Sequence, residues 1–366
     1  MPKNKVNNNI KLKSGGGLIN GPDGLETGSS RGYFGDGSDG DVIISVNTSL
    51  DRDMYYNNLT INDGIVLNPN GYRIFVSGTL TYIGTGKIAR NGNNGNNGGT
   101  ASVMSNPSGN RAAGGAALAD GTIKGGLAGG YGGSGAYRGS YDSDGETGEN
   151  GAAANPSITN VGGVAGGTGG SGGSGGGKAG GTAGVPTAET LSFSTSAMYT
   201  LHTQTLNAEN LASISSKLLL AGSSSSTLLS GSAASGGGGG GSCSGAWYSG
   251  GGTGGGAGSN GGVIYIAAFK IVTVNGNTFA QAKGGNGGNG GNGSGLSNGL
   301  RGSGGGGGSG GQGGLVILIY HELTGTGVID VSGGTKGLKG TSEPGATLPT
   351  DGNDGNAGKY IKIKIA

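Results

Sequence analysis

Apolar residues in this chain come in short β-branched and aromatic bursts, each cut off by turn residues, and the bursts gather in two regions. The first runs from residue 41 to about residue 90. It holds Val42-Ile43-Ile44-Ser45-Val46, residues 54–61, Ile65-Val66-Leu67, residues 72–76, residues 80–83 and Lys87-Ile88-Ala89, divided by clusters such as Asn62-Asp63-Gly64 and Asn68-Pro69-Asn70-Gly71. Runs of this length and punctuation predict strands. The same grammar returns twice more. Val263-Ile264-Tyr265-Ile266, then Ile271-Val272-Thr273-Val274, then Phe279-Ala280-Gln281-Ala282 passes into a glycine tract, and so does the stretch from Leu315 through Val328-Ile329-Asp330-Val331. Each copy predicts an apolar strand, a second strand and a third ending in a small residue, as in a stacked solenoid whose long loops leave at one corner. The last burst, Tyr360-Ile361-Lys362-Ile363-Lys364-Ile365, alternates cleanly and predicts a terminal strand guarded by lysines against further strand addition.

The spaces between the bursts are mostly glycine, 96 residues in 366. Their spacing is informative. In Gly284-Gly285-Asn286-Gly287-Gly288-Asn289-Gly290-Gly291-Asn292 the asparagines recur every third residue, and Thr168, Ser171 and Ser174 do the same. A period of three belongs to the polyproline II conformation, whose free backbone groups can bond laterally where no side chain keeps neighbours apart. Collagen also has this period, but it needs strict Gly-X-Y tracts rich in proline, and this chain has eight prolines. The predicted class is all-β with extensive polyglycine II: β-solenoid-like stacked short strands carrying long glycine-rich insertions, with one short helix. That helix is expected near residues 207–221, with Asn207 as N-cap, Leu211, Ile214 and Leu218 on one face, and Gly222 as the stop. Four segments follow from the pattern. Residues 1–40 are a polar, turn-rich attachment arm, 41–92 a strand module, 93–262 a glycine-rich insertion, and 263–366 strand repeats with glycine-rich loops and a terminal strand.

Composition narrows the chemistry. A formal net charge of +2 with 11% charged residues and no basic tract lacks the electrostatic footprint of a nucleic-acid binder. Cys243 is the sole cysteine and His202 and His321 are the only histidines, so no internal disulfide and no Cys/His zinc site is expected. The longest apolar stretches, near residues 263–268 and 315–320, are too short for a membrane-spanning helix, and no membrane insertion is expected. The opening Met1-Pro2-Lys3-Asn4-Lys5-Val6-Asn7 has no apolar leader core, which predicts assembly in a cytoplasm.

Three motifs invite a chemical reading and each has a plainer one. Residues 172–179 approach phosphate-loop spacing but place Ala179 where a magnesium-binding hydroxyl is required. Asp51 and Asp53 flank Arg52 as paired carboxylates for glycoside cleavage would, or as a solvated turn would. Asp142-Ser143-Asp144-Gly145-Glu146 with Glu149 has the oxygen density of a calcium loop, but its glycine is misplaced for an EF-hand, and a surface turn explains it. No catalytic residue, metal or cofactor is expected. The aromatic residues say more. Tyr131, Tyr137 and Tyr141 and the pair Trp247-Tyr248 lie within glycine tracts, outside any ordinary core, and such rings suit stacking on a sugar or filling a partner's pocket; closing off the glycine layer is the competing role.

The Gly-Gly-x tracts resemble those of the glycine-rich adhesins at the tips of bacteriophage long tail fibres, and the passage from 41 to 97 resembles a strand-rich module preceding glycine tracts in phage structural proteins. The resemblance implies a non-enzymatic virion-surface protein, a tail fibre or spike component. In such adhesins distal loops contact the host receptor, which by position corresponds here to the loops around residues 131–141 and Trp247. It implies as partners other virion proteins through the N-terminal arm and a host surface glycan or outer-membrane protein, with assembly in the host cytoplasm and residence on the virion; the unpaired Cys243 and the Ile/Lys terminal strand add self-association, a homo-oligomer, to the expectation. A purely structural capsid or tail decoration role, a polysaccharide depolymerase and an ice-binding face remain as alternatives.

Overall fold

The computed structural model describes residues 33–101, 111–123, 125–138, 156–157, 179–184, 231–232, 234–240, 242, 249–295 and 301–365. The described strands are β1 (Val42–Ile44), β2 (Thr48–Ser49), β3 (Met54–Tyr56), β4 (Leu59–Ile61), β5 (Val66–Asn68), β6 (Ile74–Tyr82), β7 (Lys87–Ala89), β8 (Tyr137–Arg138), β9 (Pro156–Ser157), β10 (Gly231–Ser232), β11 (Ser249–Gly250), β12 (Val263–Val272), β13 (Thr278–Gln281), β14 (Leu315–Thr324), β15 (Val328–Asp330) and β16 (Lys359–Lys364). They build two main sheets. The larger runs β1-β4-β6-β12-β14-β16, with β3 also on β6, and the smaller runs β15-β13-β7-β5-β2. Every pairing within these two sheets is parallel.

This arrangement corrects the expected fold class. In place of an all-β polyglycine II solenoid of stacked short strands, the chain forms two sheets of parallel strands, with a single helical turn at Tyr33-Phe34 among the described residues. The predicted helix near 207–221 lies outside the described residues. The reason lies in the bursts. Residues 74–76 and 80–82 belong to one nine-residue strand, and 263–266 and 271–272 to one ten-residue strand, so a copy contributes one long strand and one short strand instead of three short ones. Strands β12 and β14 pair over nine positions. A near-continuous apolar run is the signature of a parallel strand buried on both faces, which explains why their sequences do not alternate.

Both faces of the larger sheet are buried along the first halves of β12 and β14. Ile264, Ile266, Val316 and Leu318 point into a core shared with Leu67, Ile88, Phe279 and Ala280 of the smaller sheet. The alternate residues Val263, Tyr265, Ile317 and Ile319 join Phe34, Phe75, Ile123, Ile361 and Ile363 on the opposite face. A shift of register between Ala268 and Lys270 keeps the inward series going, so that Ile271 also faces the inner core. Burying a side chain of this size is worth roughly 1.5–3 kcal/mol, and this pair of cores is the anchor for everything glycine-rich.

The glycine tracts extend the two sheets. Outbound tracts continue the smaller sheet: 91–99 after β7, 283–293 after β13 and 332–341 after β15. Return tracts 251–262, 302–314 and 350–358 lead into β12, β14 and β16 of the larger sheet. The tracts bond to one another through their backbones. In the return tract 302–314, the N–H groups of Gly305, Gly308, Gly311 and Gly314 donate to the outbound tract 283–293 and its junction, at Gly291, Gly288, Gly285 and Ala282. Those of Gly306 and Ser309 donate to Gly238 and Ser235, and those of Gly307, Gly310 and Gly313 donate to Thr350, Asn353 and Asn356. The donors of this tract thus point in three directions repeating every third residue, and most of them are satisfied by the backbones of neighbouring tracts. Glycine is a spatial requirement here: a Cβ on Gly311 would lie 1.9 Å from the carbonyl oxygen of Ser259.

Candidate functional site

The direction of the tracts decides what can act as a site. Outbound tracts start at the sheets and return tracts end there, so the turns joining them gather at the far end of the lattice. A nine-residue tract reaches up to about 30 Å, which sets the distance from base to far end. Tract 125–136 also runs outward, since Asn260, Ala257 and Gly254 donate in that order to Leu127, Gly130 and Gly133, and tract 234–240 runs beside it, with Gly130, Gly133 and Ala136 donating to Ala234, Gly237 and Gly240. At the far end β8 pairs with β11, placing Gly250 opposite Tyr137 and Ser249 opposite Arg138, and Gly250 exchanges backbone hydrogen bonds of 3.0 Å with Ser294. Three separate stretches of the chain, at 137–138, 249–250 and 294, therefore meet there.

The sequence-selected aromatic residues fall in different places. Tyr131 lies on the flank of an outbound tract, 54% exposed, short of the far end. Tyr137 forms part of the β8–β11 pair, and β11 begins directly after Tyr248. Tyr141, Trp247 and Tyr248 themselves lie outside the described residues, as do the calcium-like cluster 142–149, Cys243 and His202. The structure brings the Tyr137 backbone to the strand that follows the Trp247-Tyr248 pair, and it does not bring Tyr131 to it.

Sequence reasoning passed over a neighbouring pair of turns. Arg301 packs its guanidinium against Gly345, whose φ of 91° suits glycine, and a side chain at that position would collide with it. Glu343 N donates to Gly302 O at 3.1 Å, Ser342 Oγ donates to Thr347 O at 3.1 Å, and Leu348 stands 65% exposed. Part of the signal was there to read: Arg301 is the single charged residue between Lys283 and Glu322, and Glu343 is followed by Pro344.

A second regular feature is the outer flank of the outbound tracts. Asn91, Asn94 and Asn97 accept, through their side-chain Oδ1, the backbone N–H groups of Lys283, Asn286 and Asn289 at 2.8–2.9 Å. Asn286, Asn289 and Asn292 accept in turn from Thr335, Leu338 and Thr341 at 2.9–3.0 Å. Each asparagine closes the one donor per triplet that points along the surface. The three-residue asparagine period is thereby a bonding device between neighbouring tracts.

The ionisable groups of the base are mostly engaged in holding turns. Asp53 accepts from the Arg73 backbone N at 2.8 Å and from its Nε at 2.9 Å, and also from Nη2, so the Asp51/Asp53 pair has one member tied to a buried arginine. Asp39 accepts from Arg52 Nη2 at 2.7 Å, and that bond holds its carboxyl below the ordinary range. Arg90, buried where β7 passes into its glycine tract, donates to the carbonyls of Val263 and Ala119, and burial lowers its pKa. Burial pushes Tyr56 up to about 12. His321 stacks on Phe269 with ring centroids 4.7 Å apart and sets Nδ1 3.1 Å from Ile365 O, a packing role. Among the described residues no group of three or more His, Cys, Asp and Glu side chains could hold a metal ion, and no helix is long and apolar enough to cross a membrane. No protein-family profile, curated protein or solved structure matches the chain.

Proposed function

We propose that the chain is a non-enzymatic component of a virion surface, a tail fibre or spike part that presents binding turns at the far end of a glycine-tract shaft. Its base is the pair of parallel sheets. The observation that carries the reading is the meeting of β8, β11 and the Ser294 turn at the end remote from both apolar cores. A lattice bonded through its backbone has few rotatable side chains to order, so turns held at its end lose little further entropy on contact with a partner. In this reading Tyr137, Tyr141, Trp247 and Tyr248 face a host surface glycan or outer-membrane protein, Tyr131 supplements them from the flank, and residues 1–40 join the chain to other virion proteins or to further copies of itself. Assembly takes place in the host cytoplasm.

The test is competition. Purified protein is expected to block adsorption of virions that carry it, and Trp247→Ala with Tyr248→Ala is expected to weaken the block at least about tenfold, the loss of one or two aromatic anchors, with no change in thermal unfolding. Unchanged adsorption of virions lacking the chain sinks the proposal.

A further inference from the structure

The larger sheet has seven strands and the smaller five. With β3 and β4 both lying against β6, six strands follow in order from β1 to β16, whereas the smaller sheet stops at β15, so β16 stands one step beyond it. Among the described residues the last strand, β16, therefore has a ladder neighbour on one side only and, in the inner core direction, no strand facing it. Its bonds to β14 run through the odd-numbered residues, beginning with Lys359 N to Gly314 O at 3.0 Å and ending with Ile365 N to Tyr320 O at 2.8 Å. By the two-residue alternation of a strand, the backbone N–H and C=O groups of Tyr360, Lys362 and Lys364 point to the open edge. The side chains of these three residues sit in register with Val316, Leu318 and Tyr320, and all three are exposed, Tyr360 by 53%. Neither Lys362 nor Lys364 takes part in an ion pair among the described residues; the Lys362 ammonium lies 5.6 Å from the Tyr360 ring centroid. On the opposite face Ile361 and Ile363 are buried and end the outer apolar row.

We infer that this edge receives an extended acidic segment of a partner protein, added as an eighth strand beside β16, with carboxylates at alternate positions opposite Lys362 and Lys364 and apolar residues between them continuing the Ile361–Ile363 row. The backbone of the edge supplies affinity and the alternation supplies selection. The lysines that guard this strand against indiscriminate addition also choose the one occupant it admits. A second β16 would bring like charges face to face, which the edge disfavours. The chain's own first thirteen residues carry Lys3, Lys5, Lys11 and Lys13 and no acid, so they are the wrong partner too. An acidic strand is the one whose charge complements the edge. The inference is independent of the receptor reading, because the edge lies at the base and the receptor turns at the far end.

The experiment uses the full chain with two capped octapeptides, one alternating valine and glutamate and one alternating valine and lysine, in fluorescence-polarisation titrations. The glutamate peptide is expected to bind the unaltered chain at least about tenfold more tightly than the lysine peptide, the sum of two cross-strand pairs reversed in sign. Lys362→Glu with Lys364→Glu is expected to invert that preference, and Lys362→Gln with Lys364→Gln to abolish it, with the same thermal transition showing that the variants fold. Equal binding of both peptides, or no binding of either, overturns the inference. So does sedimentation of the unaltered chain as an assembly that the glutamine variant loses, since the edge would then belong to another copy.

Discussion

The two-sheet base and the glycine lattice solve one problem with opposite materials. Both must pair every buried backbone donor and acceptor. In the base, regular ladders do so, and the side chains of β6, β12 and β14 are left free to pack two apolar cores. In the lattice most side chains have been removed, so a tract such as 302–314 bonds to five neighbouring tracts where a strand has two, and hydrogen bonds occupy the space that packing occupies elsewhere. The contrast teaches that tolerance to substitution runs in opposite directions in the two halves. The base fears losing atoms and the lattice fears gaining them.

The sharpest way to break that comparison is to add atoms where none fit. Gly311→Val would drive a branched side chain into the Ser259 carbonyl, whose oxygen also accepts from Gly285 N at 2.9 Å and so has nowhere to go. A loss above about 4 kcal/mol is expected, the range reserved for gross steric or core damage, read as a collapse of the thermal transition and rapid proteolysis of residues 283–314. Gly276→Val, at a corner where an added Cβ meets nothing within 4 Å but φ is 75°, is the control and should cost only the roughly 1–2 kcal/mol of a left-handed backbone. If the two variants unfold alike, the lattice is not sterically limited. Removing atoms gives the mirror experiment. Ile264→Ala, in the fully buried inner core, is expected to cost about 3 kcal/mol in chemical denaturation, whereas Ala257→Gly in the adjoining return tract should cost about 1 kcal/mol or less.

These same contrasts show how much could be read beforehand. The starts of β12 and β14 were legible because Val263-Ile264-Tyr265-Ile266 and Leu315-Val316-Ile317-Leu318 have no other plausible home. The three-residue rhythm of Asn286, Asn289 and Asn292 was legible as well, and the Oδ1 bonds from the next tract supply its physical reason. What misled was Ser77-Gly78, which looks like a break between two short strands. Gly78 lies inside β6 because Asn58 leans over it: Asn58 Oδ1 accepts from Thr79 N at 2.9 Å, and a Cβ at Gly78 would stand 2.5 Å from that oxygen. A glycine required by close approach cannot be told from a turn glycine until the approaching residue is known, and Asn58 is twenty residues away. The turns at Arg301 and Glu343 were missed for a related reason, since their proximity depends on which tracts turn at the same end.

Within the lattice, the asparagine flank allows a smaller test. Asn289→Ala removes the acceptor of Leu338 N and leaves that donor to water, because the flank is exposed. The expected cost is about 1 kcal/mol, the net worth of an ordinary hydrogen bond, with faster amide exchange at Leu338 and unchanged exchange at Gly337, which donates to Gly308. Equal acceleration at both amides would mean that the tract moves as a whole and that the flank bonds are not separable from the lattice behind them.

The smallest effect separates two chemical versions of the same device. Where tract 332–341 meets tract 350–358, the flank acceptor is a carboxylate: Asp351 Oδ1 accepts from Lys339 N at 3.0 Å, and its Oδ2 lies 3.2 Å from Lys336 Nζ. That backbone bond and then the ammonium hold the Asp351 pKa below the usual carboxylate value. A depressed folded-state pKa contributes stability that is present above the unfolded value near 4 and is lost as pH falls through the lower folded value. Acid should therefore release Lys339 N while Leu338 N, held by the neutral amide of Asn289, keeps its protection. Solvent screening keeps the effect under about 1 kcal/mol, so the observable is the ratio of the two exchange rates, which cancels the intrinsic pH dependence of exchange. The ratio should shift below about pH 4 in the unaltered chain and stay flat in Asp351→Asn, which replaces the titrating acceptor by the neutral one that the other tracts already use. A ratio that shifts in both proteins would place the acid-sensitive group elsewhere and leave the asparagine and aspartate flanks physically equivalent.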